Sequence, residues 1–286
     1  ATFTVPLSSV TGDVGRNIAP GIGKRIVWRA MDDCPGTVVP HAMVEITAED
    51  NTGQTETVML PGGVPLVMVW CPAGTFMMGR NTGEQDSSAT ESPRHSVTLA
   101  SGFWMAKYEL TKRQWVAVMG TTPWAGQPYV LNDLDSPAVY VSWNDAKAFI
   151  TALNSYTGKT FRLPSESEWE YACRAGTTTR FYWGDDPTLS AINDYAWSWA
   201  NCSAQQYAHV VGQKLPNTFA LHDMSGNVYE WCEDDWHDDY TGAPTSGGAW
   251  IDSPRSSRRA ERGGCWNDNP VVCSADNGAV AGTTTP

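Results

Sequence analysis

The sequence has few of the features that membrane-spanning or nucleic-acid-binding proteins need. Its 286 residues carry a net charge of −12, so a phosphate backbone would be repelled over most of the surface. The longest strongly apolar run, Val64 to Cys71, is far shorter than the roughly 20 residues that span a bilayer. We therefore expect no nucleic-acid partner, and membrane attachment only through an N-terminal anchor removed from the mature chain.

Common metal and redox motifs are also missing. The seven cysteines include no CxxC pair, and the five histidines show no i, i+3 or i+4 spacing typical of zinc sites. An odd number of cysteines cannot pair completely within one chain, and most fit buried small hydrophobes. Leucine is scarce whereas there are 14 tryptophans. This composition favours a loop-rich fold over a helical bundle.

The chain changes character near the Pro61-Gly62-Gly63 turn. Residues 1–63 consist of short apolar–polar alternations such as Ile26-Val27-Trp28, separated by turn residues, and predict an N-terminal β-rich region. Residues 64–286 form the second, larger domain. Within it, residues 66–70 and 75–78 flank Cys71-Pro72 and are predicted to pair as a hairpin.

Three helix starts follow. Thr111 with Gln114 and Ser165 with Glu168 are capping boxes, and Ser142 is an N-cap; glycines end each pattern at positions 120, 158 and 176. No helix signal is found after Gly176. The acids at 166, 168 and 170 lie in a first helical turn, where each offsets the helix dipole by about 0.3–1 kcal/mol. We therefore interpret them as structural.

Seven spaced segments follow one another along the chain: VWCPAGTFMMG (69–79), KYELTKRQW (107–115), PAVYVSW (137–143), FRLPSESEWEYACRA (161–175), FYWG (181–184), NTFALHDMSGNVYEW (217–231) and RGGCW (262–266). In sequence and in order, they resemble the formylglycine-generating enzyme, or sulfatase-modifying factor, family over about residues 64 to 273. The resemblance implies an α+β fold of C-type-lectin-like topology, with few helices, short strands and long loops. It also implies that the tryptophans at 115, 143, 169 and 231 belong to the core.

In the family's oxidases, two cysteines after Arg-Gly-Gly bind Cu(I), which requires soft thiolates. The second of these positions is Cys273, whereas the first is Asp268. A hard carboxylate is a poor substitute, so we expect that the chain binds no copper and is not an enzyme. Cys265 stands where the family usually has serine and could supply another thiol, which keeps the oxidase as the alternative.

The resemblance further implies a structural Ca²⁺ site. A carboxylate or amide oxygen, two backbone carbonyls and a glutamate hold the ion in the family, and oxygen ligands of this kind suit calcium. Solvated turn acids are an equally good explanation of these residues. The matching positions here are Asp223, Gly226, Val228 and Glu230.

The segment after Trp266 is rich in small and Asx residues, which are typical of an exposed loop. Here the chain resembles the variable proteins of diversity-generating retroelements, including those of Treponema, in which an asparagine-rich template is altered at adenines. The resemblance implies a variable ligand-binding segment at about 262–286. Its expected contact residues are Asp268, Asn269, Val271, Val272, Ser274, Asp276, Asn277 and Ala279.

Three functions compete at this point. The favoured one is a non-catalytic, receptor-like protein that binds a protein or other macromolecule through a diversified surface. The alternative is a copper-dependent oxidase that makes formylglycine in sulfatases, and the third is a lectin-like domain without a dedicated ligand. Composition and lectin-like form favour an extracellular or cell-surface location, such as that of a lipoprotein.

Overall fold

The computed structural model describes residues 53–283 and the backbone of two strands, β1 (Val10–Gly12) and β2 (Ile26–Trp28). These two strands pair antiparallel, and the second is the one predicted at Ile26-Val27-Trp28. The other N-terminal strands predicted from the sequence lie outside the described residues. The chain divides into compact units at 1–52 and 53–286, whereas the sequence analysis divides it after residue 63.

The first sheet has the order β3-β4-β7 and contains β3 (Thr55–Leu60), β4 (Val64–Cys71) and β7 (Phe103–Ala106), all antiparallel. The predicted hairpin after β4 is wrong. β5 (Gly74–Met78) instead pairs with β6 (His95–Leu99) in a separate two-stranded sheet. Pro72 follows β4 and has no N–H to continue its ladder, while Cys71 pairs with Phe103.

The three predicted helices are confirmed as α1 (Lys112–Met119), α2 (Trp143–Thr157) and α3 (Glu166–Arg174). All three begin with a capping box, in which the N-cap hydroxyl and the N3 side chain each accept a backbone N–H. Two short helices, α4 (Ile192–Tyr195) and α5 (Trp199–Cys202), were not predicted. None of the helices in the described part is long and apolar enough to cross a membrane.

The third sheet has the order β10-β9-β8, formed by β8 (Glu230–Asp235), β9 (Arg258–Arg262) and β10 (Gly278–Gly282). Helix α3 contacts both β8 and β9, and Trp169 on this helix is fully buried. A second apolar cluster joins α1 and α2, where the Trp115 and Phe149 rings stack 5.3 Å apart. The result is the expected α+β architecture with few helices and short strands.

Candidate ligand-binding surface

Arg262 anchors the segment that follows it. Its side chain is fully buried, and its Nη2 donates to Glu170 Oε2 at 2.5 Å and to the carbonyl of Ala275 at 2.9 Å. Nη1 donates to the carbonyl of Asp276 at 2.7 Å. One buried guanidinium therefore ties the end of β9 to helix α3 and to the backbone that enters β10.

Gly263 and Gly264 allow the chain to turn against this core. Both have positive φ, +97° and +72°. A Cβ at position 263 would lie 3.3 Å from the Trp169 ring, and one at 264 would lie 3.2 Å from the Val272 carbonyl. Larger residues would be strained here and would push the following segment away from the core.

Only part of the predicted contact segment faces solvent. Asn269 is exposed, and Asp268, Val271, Val272, Asn277 and Ala279 are half-buried. Ser274 and Asp276 are buried, with Asp276 completely inaccessible. These two side chains therefore differ from the expectation of an exposed loop. A short 3₁₀ turn at Pro270–Cys273 directs the chain inward, where Arg262 binds the next carbonyls.

Exposed aromatic side chains flank the solvent-facing part, and the sequence analysis did not identify them. Trp199 is 58% exposed, and its backbone N–H donates to the carbonyl of Asp268 at 2.9 Å. Tyr129 is 60% exposed, with its ring 6.0 Å from that of Trp266. Asn201 Oδ1 accepts the Ser198 N–H at 3.0 Å at the start of α5, and this Ser-x-x-Asn spacing is a sequence signal that could have placed Trp199 on a helix. Tyr129 carries no such signal.

The half-buried side chain of Asp268 is held by the backbone of Cys265. Its Oδ2 accepts the Cys265 N–H at 2.8 Å. Burial, and then the Asp268 charge, raise the pKa of the Cys265 thiol to about 12, and burial followed by the same carboxylate raises the pKa of Cys273 further. Both thiols are therefore protonated at neutral pH. A soft metal would have to displace these protons, with Asp268 beside them.

The residues of the expected calcium turn lie on both sides of Gly226. Gly226 has a φ of +79° and passes so close to Trp197 that a Cβ would lie 2.1 Å from the Trp197 carbonyl oxygen. Asp223 is buried; its Oδ2 accepts the Gly212 N–H at 2.6 Å. Its Oδ1 has no hydrogen-bond partner among the described residues. A buried carboxylate oxygen without a donor fits an oxygen-liganded cation.

Other carboxylates surround Asp223. Burial raises the pKa of Asp223 to about 6 and that of Glu230 to about 7, and the Asp223 charge adds to the second shift. Glu109, which the sequence analysis missed, accepts the Val228 N–H at 3.0 Å and hydrogen-bonds Asn227. Burial, then Asp223 and Glu230, raise its pKa as well. The described residues contain no group of three or more His, Cys, Asp or Glu side chains arranged to hold a metal, so backbone carbonyls would have to complete such a site.

Residues 54–278 match the family model described as "Sulfatase-modifying factor enzyme 1-like domain". The chain belongs to this formylglycine-generating enzyme family. A formylglycine-generating enzyme from Thermomonospora curvata is 28% identical, covering 77% of this chain and 88% of the relative. The Bos taurus enzyme is 26% identical, covering 79% and 74%.

Two solved structures share the fold. PvdO from Pseudomonas aeruginosa has a TM-score of 0.71 and 33% identity, covering 77% of this chain and 90% of that one. Variable protein 1 from Treponema denticola has a TM-score of 0.68 and 24% identity, covering 81% and 95%. The C-type-lectin-like fold expected from the sequence is thereby confirmed.

The comparisons contradict the prediction that the chain is not an enzyme. Four relatives at 26–31% identity are named formylglycine-generating enzyme. That prediction rested on the substitution of a single copper-ligand position by Asp268, and one position does not outweigh membership of a family that contains enzymes. The relatives include both enzymes and a variable protein.

Proposed function

We propose that this protein binds a protein ligand through the solvent-facing part of 262–283, presented on a formylglycine-generating-enzyme-type scaffold. The observation that carries the proposal is the combination of variable-type side chains with exposed aromatics. Asp268 and Asn269 lie beside Trp199, and Tyr129 lies beside Trp266. Tryptophan and tyrosine dominate the energetics of protein interfaces.

The rigid base beneath the segment supports the same proposal. Arg262 binds the backbone at 275 and 276, and not the side chains there. The anchoring contacts are therefore independent of which side chains occupy those positions. A surface that must vary without loss of the fold needs such an anchor. The small and Asx residues of the segment can be reached from an asparagine codon by changes at its adenines alone, which fits a diversified surface.

This proposal is tested by comparing how well two randomised libraries of the chain tolerate substitutions. We would randomise positions 269, 271, 272 and 277 in one library of the full chain, and buried positions 172, 221, 260 and 274 in a matched library. Members that fold should be common in the first and rare in the second. Selection of the first library against unrelated immobilised proteins should yield specific binders. Equal loss of folding in both libraries, or no binders from a folded first library, would contradict it.

The relatives favour a second candidate, copper-dependent oxidation of a peptide cysteine. The observation on its side is that Cys265 is near enough to Cys273 to raise the pKa of the Cys273 thiol, so two thiols lie in the same region as Asp268. Two thiolates are the ligands that Cu(I) prefers. Copper-dependent oxygen uptake on a cysteine-containing sulfatase peptide, lost in both Cys265→Ser and Cys273→Ser, would establish it.

We further propose a structural Ca²⁺ held by Asp223 and Glu230 with the carbonyls of Gly226 and Val228. The unpartnered Asp223 Oδ1 and the neighbouring carboxylates support a cation at this turn. A location outside the cell follows from the proposed receptor-like role, and the serine-, threonine- and asparagine-rich composition is consistent with it.

A further inference from the structure

A cavity of about 690 Å³ lies between helices α1 and α2 and the strands of both three-stranded sheets. Its volume is within the range of sites that bind small molecules. Most of its wall is apolar and aromatic, with Trp115 and Phe149 from the helices and Trp231 from β8. The solvent-facing aromatics Trp199 and Tyr129 do not line it, so the cavity is a separate feature from the proposed ligand-binding surface.

One strand edge borders this cavity. All four residues of β7 line it. Side chains alternate between the two faces of a strand, so an unbroken run of lining residues means that the backbone edge itself faces the space. Among the described strands, β7 pairs with β4 alone. Unpaired backbone groups thus border an apolar space, where their hydrogen bonds would otherwise be unsatisfied.

The charges around the cavity are unbalanced. The cations at its rim are already paired: Lys159 Nζ lies 2.5 Å from Glu56 Oε1, and Arg162 Nη1 lies 2.6 Å from Glu168 Oε2. Glu261 on β9 also lines the cavity. In the part of the chain that the structure describes, it forms no ion pair, and the carboxylate of Asp268 repels its charge. An occupant that carries a positive charge would compensate Glu261.

We propose that the cavity binds an extended peptide segment as an added β-strand, with apolar side chains and one lysine or arginine directed to Glu261. Main-chain hydrogen bonds to an edge supply affinity in this mode of recognition, and side-chain pockets supply specificity. The four residues of β7 span about 13 Å at about 3.3 Å per residue. A matching strand therefore has about four to six residues.

The test is a positional-scanning library of acetylated, amidated hexapeptides, read by fluorescence anisotropy on the full chain. We expect saturable binding, with apolar residues preferred and a basic residue preferred over an acidic one by at least tenfold at one position. Methylation of alternate backbone nitrogens of the selected peptide should abolish binding, because it removes the N–H donors. Failure to find saturable binding, or binding that survives methylation, would overturn the proposal.

Two variants locate the site. Glu261→Gln should reduce the preference for the basic residue to less than threefold, whereas Glu84→Gln, outside the cavity, should leave it unchanged. Ala281→Phe narrows the cavity from β10 and should weaken the peptide at least tenfold, with circular dichroism verifying the fold. A basic preference retained in folded Glu261→Gln would refute the assigned partner.

Hydrogen exchange provides an independent readout. Bound peptide should slow exchange of amides in β7, relative to the same amides in the free protein. Concentration-dependent protection of these amides without peptide would mean that a second copy of the chain occupies the cavity, and would overturn the proposal. Because the proposed ligand-binding surface is read out by its own library, failure of either proposal is distinguishable from failure of the other.

Discussion

The carboxylate of Glu170 lies between two buried guanidinium groups, with Oε1 2.8 Å from Arg174 Nε and Oε2 2.5 Å from Arg262 Nη2. Burial alone would raise the pKa of Glu170. Arg174 and then Arg262 outweigh burial and hold this pKa below its usual value. Since Glu170 Oε1 also accepts the Gly79 N–H at 2.9 Å, this acid joins helix α3, β9 and the loop after β5.

Loss of one partner in this network should be strongly destabilising. Glu170→Ala removes the ion-pair partner of the buried Arg174 and leaves Arg262 with only Glu166, 3.5 Å away. Breaking a buried pair in this way costs about 3–5 kcal/mol. Equilibrium denaturation would measure the change. Asp135→Ala, which removes the partner of the exposed Arg113, is the matched control and should have little effect. Similar losses for both variants would argue against the anchoring role of the network.

Asp276 should make stability fall as the pH rises. Burial, then the neighbouring acids led by Glu170, raise its pKa to about 8, and neither carboxylate oxygen has a hydrogen-bond partner in the described part. The folded state therefore binds more protons than the unfolded state between about pH 4 and 8, so the free energy of unfolding declines across this window. Below it, both states are protonated and the penalty disappears.

The substitution Asp276→Asn removes this titration. We expect the variant to gain stability relative to wild type at pH 8.5 and to lose that advantage at pH 4, as measured by urea denaturation at both values. Asp133→Asn serves as an exposed control. An unchanged pH slope in Asp276→Asn would mean that another group sets the slope.

Substitutions in the buried scaffold should cost more stability than substitutions in the surface segment. Trp169→Ala should cost about 3–5 kcal/mol, because the indole is fully buried and a large cavity remains. Val271→Ser and Val272→Ser change half-buried side chains at the surface, and such substitutions usually stay within about ±0.5 kcal/mol. Thermal unfolding of the three variants checks this order. Surface changes as costly as Trp169→Ala would place the segment in the core.

Calcium should stabilise the folded chain by binding it and not the unfolded state. Since burial raises the pKa values of Asp223 and Glu230 to about 6 and 7, both must lose protons to bind the ion. The gain in melting temperature from calcium over chelator should thus grow between pH 5 and 8. Asp223→Ala should abolish it, whereas Asp239→Ala should not. No gain at pH 8 would exclude a structural ion here.

The sequence predicted best where local chemistry decides the structure. The capping boxes at Thr111 and Ser165 gave the start of each helix to the residue. The hairpin after β4 was wrong because strand pairing depends on distant partners, here Phe103 for Cys71. Glu170 was expected to offset a helix dipole, but it lies beyond the first turn of α3. Two arginines hold it instead, one of them 92 positions away, and local sequence does not predict such a contact.

At the candidate surface, too, the sequence predicted what local residues decide and missed what distant contacts decide. The resemblance placed the variable segment after Arg262, yet it gave no orientation to individual side chains, so Ser274 and Asp276 were expected at the surface and are buried. Their orientation follows from backbone contacts to Arg262, which composition does not encode. Trp199 and Tyr129 come near the segment only through tertiary structure.

Sequencing the gene from many isolates tests the central claim most directly. The account predicts substitutions concentrated in residues 267–286, at codons that differ only where a template codon has adenine, while Arg262, Glu170 and the buried tryptophans stay fixed. Substitutions spread evenly along the chain, or an invariant 267–286, would contradict a diversified ligand-binding surface.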